Sequence, residues 1–61
     1  MIKNGFTFKV AGKNITGEID GMTAQGIWNV IFKEDGCVYA RYDVYESTIV
    51  KNLELGIYEE V

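Results

Sequence analysis

The chain contains no histidine and no proline, and only one cysteine. Without histidine, and with a single thiol, the usual zinc-ligand sets are out of reach and no internal disulfide can form. Cys37 has no imidazole to activate it as a nucleophile; it reads as a plain strand residue of a reducing compartment, so a cytoplasmic location is expected. The missing prolines leave turn geometry to the seven glycines and leave no sheet edge guarded by a proline. Long apolar runs are missing too. The longest aliphatic or aromatic stretch is Val30-Ile31-Phe32, too short for a membrane span or for the apolar segment of a signal peptide. Cations are scarce: six basic residues against nine acidic ones give a net charge of −3, which argues against a protein that lives on phosphate backbones. The carboxylates are scattered, without the Asp-x-Asp-x-Asn spacing of a calcium loop, and no metal or cofactor is implied. Sixty-one residues make one domain, 1–61, which buries only about 60% of its unfolded surface. That leaves little room for an enclosed active site, and an enzyme is not expected.

What the chain has is alternation. Gly26 to Tyr45 encodes two strands around the turn signal Glu34-Asp35-Gly36. A two-residue loop would set Phe32 opposite Tyr39, Val30 opposite Arg41 and Trp28 opposite Asp43, mixing apolar and charged partners on one face. A three-residue loop, with Gly36 in a left-handed bulge position, sets Phe32 opposite Val38, Val30 opposite Ala40 and Trp28 opposite Tyr42. Because a one-residue slip turns every side chain over, the second register is expected. Trp28, Val30, Phe32, Val38, Ala40, Tyr42 and Val44 then point inward. Ile27, Asn29, Ile31, Lys33, Cys37, Tyr39, Arg41, Asp43 and Tyr45 point outward.

Gly5 to Ile19 predicts a first hairpin, with a two-residue Gly12-Lys13 loop pairing Val10 with Ile15, Phe8 with Gly17 and Phe6 with Ile19. Gly17 opposite Phe8 marks a bend or a place where the ring covers bare backbone. Asp20 to Gln25, flanked by Gly21 and Gly26, reads as a loop between hairpins. Glu46-Ser47-Thr48 could cap a helix, yet Thr48-Ile49-Val50 is β-branched, so a turn or a single 3₁₀ turn is expected there. Leu53, Leu55 and Ile57 alternate with Glu54, Gly56 and Tyr58 and predict a last strand.

Five short antiparallel strands with two apolar faces can economically close on themselves, so the expected fold is all-β, a small five-stranded barrel. The order of hairpin, loop, hairpin with Trp28-x-Val30-x-Phe32 before Asp35-Gly36, then a short turn and a final strand, resembles the SH3-like barrels of the KOW and Tudor type. The resemblance implies a module that binds peptides, modified side chains or nucleic acid rather than a catalyst.

The chosen register brings Ile27, Ile31, Tyr39, Arg41 and Tyr45 to one outer face, with Tyr39 opposite Ile31. Tyr, Ile and Arg together compose a protein-binding hot spot. Either the C-terminal segment covers this face or it stands exposed; Arg41 and Asp43 on the same face favour exposure, since burying them would be costly. The expected function is a non-enzymatic protein-binding module, a small regulator or inhibitor of phage or bacterial type. The competing reading is a nucleic-acid-binding barrel using Lys9, Lys13, Lys33 and Arg41, with Tyr39 as a stacking platform. Self-association through the same face or an unprotected edge strand is a third possibility. A cage of Trp28, Tyr42 and Tyr58 is a rival for positions that ordinarily fill a core.

Overall fold

The computed structural model describes residues 2–61. Its strands are β1 (Thr7–Val10), β2 (Ile15–Ala24), β3 (Ile27–Glu34), β4 (Cys37–Tyr45) and β5 (Tyr58–Glu60), with one helix, α1 (Glu46–Glu54), between the last two. All pairings are antiparallel and the strand order is β4-β3-β2-β1-β5. The protein is therefore all-β with five antiparallel strands, but the sheet is open. β4 and β5 are its two edges, and the expected closure into a barrel does not occur. Ile49 of α1, fully buried, joins Phe8, Ile19, Trp28, Val30, Phe32 and Ile2 in the core, with Leu53 packed beside them. The helix seals the apolar face that a barrel would have sealed by curling, which is the other way a sheet can bury one side.

The central strand follows its pattern. Trp28, Val30 and Phe32 are buried while their neighbours along β3 are not. The turn after it differs from expectation. Asp35 and Gly36, at φ 52° and 83°, form a two-residue left-handed loop that closes Glu34 onto Cys37. The extra residue lies inside β4 instead: Lys33 pairs with Val38, Phe32 pairs with Ala40, and Tyr39 is the bulge between them. Beyond the bulge Val30 faces Tyr42 and Trp28 faces Val44, so each β3 core residue meets the β4 residue two places further on than expected. Ala40, Tyr42 and Val44 keep the expected face. Val38, now opposite Lys33, does not, and both Val38 and Tyr42 are exposed rather than interior.

Other boundaries move as well. The first hairpin keeps Phe8 opposite Gly17, but Lys13 N–H donates to Val10 O at 3.1 Å, centring the turn on Ala11-Gly12 rather than Gly12-Lys13. Asp20 to Gln25 is not a loop. β2 runs on to Ala24 and returns through Gln25-Gly26 alone, bending at two bulges, one of which holds Gly21 at φ 89°. The glycine serves an irregular strand rather than ending one.

Residues 46–54 form a helix of nine residues, longer than the expected turn, and the last strand begins only at Tyr58. Burial of Ile49 and Leu53, four apart, outweighs the poor helix propensity of Thr48-Ile49-Val50. Glu46 in the first turn and Lys51 in the last suit the helix dipole. Gly56, at φ 77°, ends α1 with paired hydrogen bonds: Gly56 N–H to Leu53 O at 3.2 Å, and Ile57 N–H to Asn52 O at 2.9 Å.

Candidate functional site

Each face of the sheet has its own composition. On the helix side an aromatic row crosses the strands. Phe32 lies edge-on to Phe8 at 6.1 Å between ring centroids, and Phe8 stacks on Tyr58 at 4.2 Å. Between Phe32 and Phe8 in the sheet sits Gly17, paired with both. A Cβ there would lie 2.2 Å from Phe8 Cζ, so the ring occupies the space a side chain would need. The β4 end of the row is open to solvent: Tyr42 lies 5.9 Å and Tyr39 6.5 Å from Phe32, and the two are 58% and 52% exposed. Trp28, Tyr42 and Tyr58 form no cage. Trp28 is buried with its Nε1–H donating to Glu46 Oε1 at 2.9 Å, while Tyr58 stacks on Phe8 and Tyr42 lies by Phe32.

The opposite face is uncovered by α1. Cross-strand pairs place Ile31 between Glu18 and Arg41, Asn29 beside Asp43, and Ile27 beside Tyr45. Four of the five candidate residues, Ile27, Ile31, Arg41 and Tyr45, thus stand on one face, in two rows separated by the Asn29–Asp43 pair. The two isoleucines are half-buried; Arg41 and Tyr45 are exposed. Tyr39 is not opposite Ile31: the bulge gives that place to Arg41 and sets the Tyr39 ring against Phe32. Of the two arrangements open for the C-terminal segment, the helix takes the far side, and among the described residues the outer face remains bare apart from the chain end, where Val61 N–H donates to Thr7 O at 3.2 Å. Beside Ile31 a shallow cleft of about 240 Å³ opens between Thr7, Thr16, Glu18, Lys33 and Val61.

The charges on this face alternate in sign. Arg41 Nη1 lies 3.8 Å from Asp20 Oδ2, and Lys9 is paired across the sheet with Glu59. Asp43 Oδ1 accepts from Thr23 Oγ1 at 2.8 Å and from Asn29 Nδ2 at 3.4 Å. Among the described residues no group of three or more His, Cys, Asp or Glu side chains is placed to hold a metal ion, and no helix is long and apolar enough to cross a membrane. The residues that sequence reasoning missed are Val38 and Tyr42, assigned to the interior yet exposed on the edge strand. The bulge that displaces Val38 leaves no signal in composition, because any residue with a Cβ fits its extra position. Comparison with known proteins matches no family model, no curated protein and no solved structure.

Proposed function

We propose that this protein is a non-enzymatic interaction module that docks another protein on the outer face of β3 and β4, through Ile27, Ile31, Arg41 and Tyr45; Tyr39, whose ring lies by Phe32, falls outside this surface. One observation carries the reading: two apolar-to-amphipathic cross-strand pairs, Ile31 with Arg41 and Ile27 with Tyr45, lie on the face that α1 leaves bare. Half-buried aliphatic side chains beside an exposed Tyr and Arg form the anchor-and-rim composition typical of binding hot spots. The role that fits is a small regulator or inhibitor, of phage or bacterial type, working in the cytoplasm. An SH3-like origin of the KOW or Tudor kind belongs to the same proposal. Its support is the connectivity, a meander of four strands, a short helical segment, and a fifth strand beside the first.

The test is a quantitative pull-down with wild type and Tyr45→Ala. A partner retained by wild type and weakened by about 2 kcal/mol or more in the variant, with an unchanged melting temperature, supports the reading. Equal retention by both proteins rejects this face. The alternative, a nucleic-acid module using Lys9, Lys13, Lys33 and Arg41 with Tyr39 stacking, has in its favour only that Lys9, Lys33 and Arg41 share the bare face. A salt-dependent shift of an oligonucleotide would select it.

A further inference from the structure

The two edges of the sheet are built differently. β5 has three residues, two of them Glu59 and Glu60, so a second copy brought against it meets like charge. β4 has nine residues, carries neither lysine nor proline, and pairs with β3 on one side only. We propose that the occupant of the β4 edge is a second copy of this chain, running antiparallel to the first about a two-fold axis at Tyr42. This goes beyond the reading above: that partner sits on the flat of the sheet, this one on its rim, and either can be present without the other.

Backbone parity comes first. Glu46 N–H donates to Gly26 O at 2.9 Å across the β3–β4 pair. Hydrogen-bonded residues alternate in an antiparallel ladder, so Val44, Tyr42 and Ala40 turn their backbone groups to β3, and Tyr45, Asp43 and Arg41 turn theirs to the free edge. A copy can pair only where edge-facing residues meet edge-facing residues. Three two-fold registers satisfy this while keeping at least three consecutive residues paired within Ala40–Val44, the regular stretch between the Tyr39 bulge and the strand end. Centred on Arg41 the pairing sets arginine against arginine; centred on Asp43 it sets aspartate against aspartate. Centred on Tyr42 it sets Arg41 against Asp43 of the copy, twice, and Ala40 against Val44.

Charge therefore selects one register of the three, and side-chain chemistry agrees with it. Tyr39-Ala40-Arg41-Tyr42-Asp43-Val44-Tyr45 reads alike from both ends: aromatic, small or aliphatic, charged, aromatic, opposite charge, aliphatic, aromatic. On the helix side, Tyr42 meets its own symmetry mate at a non-hydrogen-bonded position, where opposed side chains come closest. Its ring, 58% exposed in one copy, would be covered there. On the outer face, Arg41 gains a second carboxylate beside Asp20. The Tyr39 bulge limits the regular ladder to Ala40–Val44, which stops the pairing from spreading into an open-ended stack.

Sedimentation of the intact protein tests the proposal, with Arg41→Asp and Asp43→Arg as charge variants and melting curves to check that each is folded. The wild type should show concentration-dependent dimers. Each variant alone, now setting like charges against each other, should associate about a hundredfold more weakly. An equimolar mixture of the two should recover a heterodimer, since an all-acidic edge then meets an all-basic one. If either variant fails to fold, Tyr42→Cys in a Cys37→Ser background reads the register directly: oxidation should link two copies through residue 42, and Val38→Cys in the same background should link poorly. A wild type that stays monomeric at every concentration overturns the proposal. So does a mixture that recovers nothing from two folded variants, or cross-linking at 38 as fast as at 42.

Discussion

At the scale of single residues, the most constrained position is one with no side chain. Gly17 is extended backbone beneath the Phe8 ring, and the ring is held from its other side by Tyr58 at 4.2 Å. An alanine methyl cannot enter unless Phe8 moves, and Phe8 is fully buried. Gly17→Ala should therefore cost about 1–3 kcal/mol, as overpacking does. Urea unfolding would show it, and in a Phe8→Leu background the same change should cost less. Equal costs in both backgrounds would mean that the ring is not the obstacle. Tyr45 presents the opposite case. It occupies the N-cap of α1 with extended backbone, φ −64° and ψ 138°, yet makes no side-chain cap, and it is 64% exposed. Aspartate there would accept from the helix's first N–H groups, so Tyr45→Asp should gain about 0.5–1 kcal/mol of stability. The same change should abolish partner retention, because it removes the aromatic of the proposed docking face. A loss of melting temperature would refute the capping argument.

At the scale of elements, β3 was readable because its period-two pattern coincides with burial on one face: Trp28, Val30 and Phe32 are interior as their spacing predicts. The pairing of Phe8 with Gly17 was readable for the same reason. The β3–β4 turn was half readable. Apolar alternation required an odd number of unpaired residues between the core pairs, and the structure has three, but a two-residue turn plus a bulge at Tyr39 supplies them rather than a three-residue loop. Composition could not tell the two apart. Helix α1 was illegible locally, since Thr48-Ile49-Val50 argues for a strand and the opposing cause is distant: the uncovered core of the sheet, into which Ile49 fits. Four of the five candidate binding residues share the expected face because their parity with Trp28 survives the bulge; Tyr39 does not, because it is the bulge.

At the scale of the molecule, extents of 30 × 24 × 15 Å describe a sheet with a helix on part of one side. A domain of this size holds roughly 3–5 kcal/mol in reserve. Ile49 is the fully buried contribution of its helix, and Ile49→Ala should cost about 2–5 kcal/mol. Most of that variant should be unfolded at physiological temperature, with its single tryptophan shifted to the emission of a solvated indole. Native emission retained on heating would mean that the sheet stands without its helix.

The placement of β5 beside β1 has a kinetic side. β2–β3 and β3–β4 are hairpins closed by two-residue turns, whereas Val10 must wait for Tyr58, far along the chain. Closing the long loop is worthwhile only once a platform exists, so the hairpin meander should nucleate and β5 should dock after the barrier. Tyr58→Ala would then leave the folding limb of a chevron nearly unmoved. If the truncation costs about 2 kcal/mol, unfolding should quicken roughly 30-fold, so that β5 sets the lifetime of the native state and not the speed of reaching it.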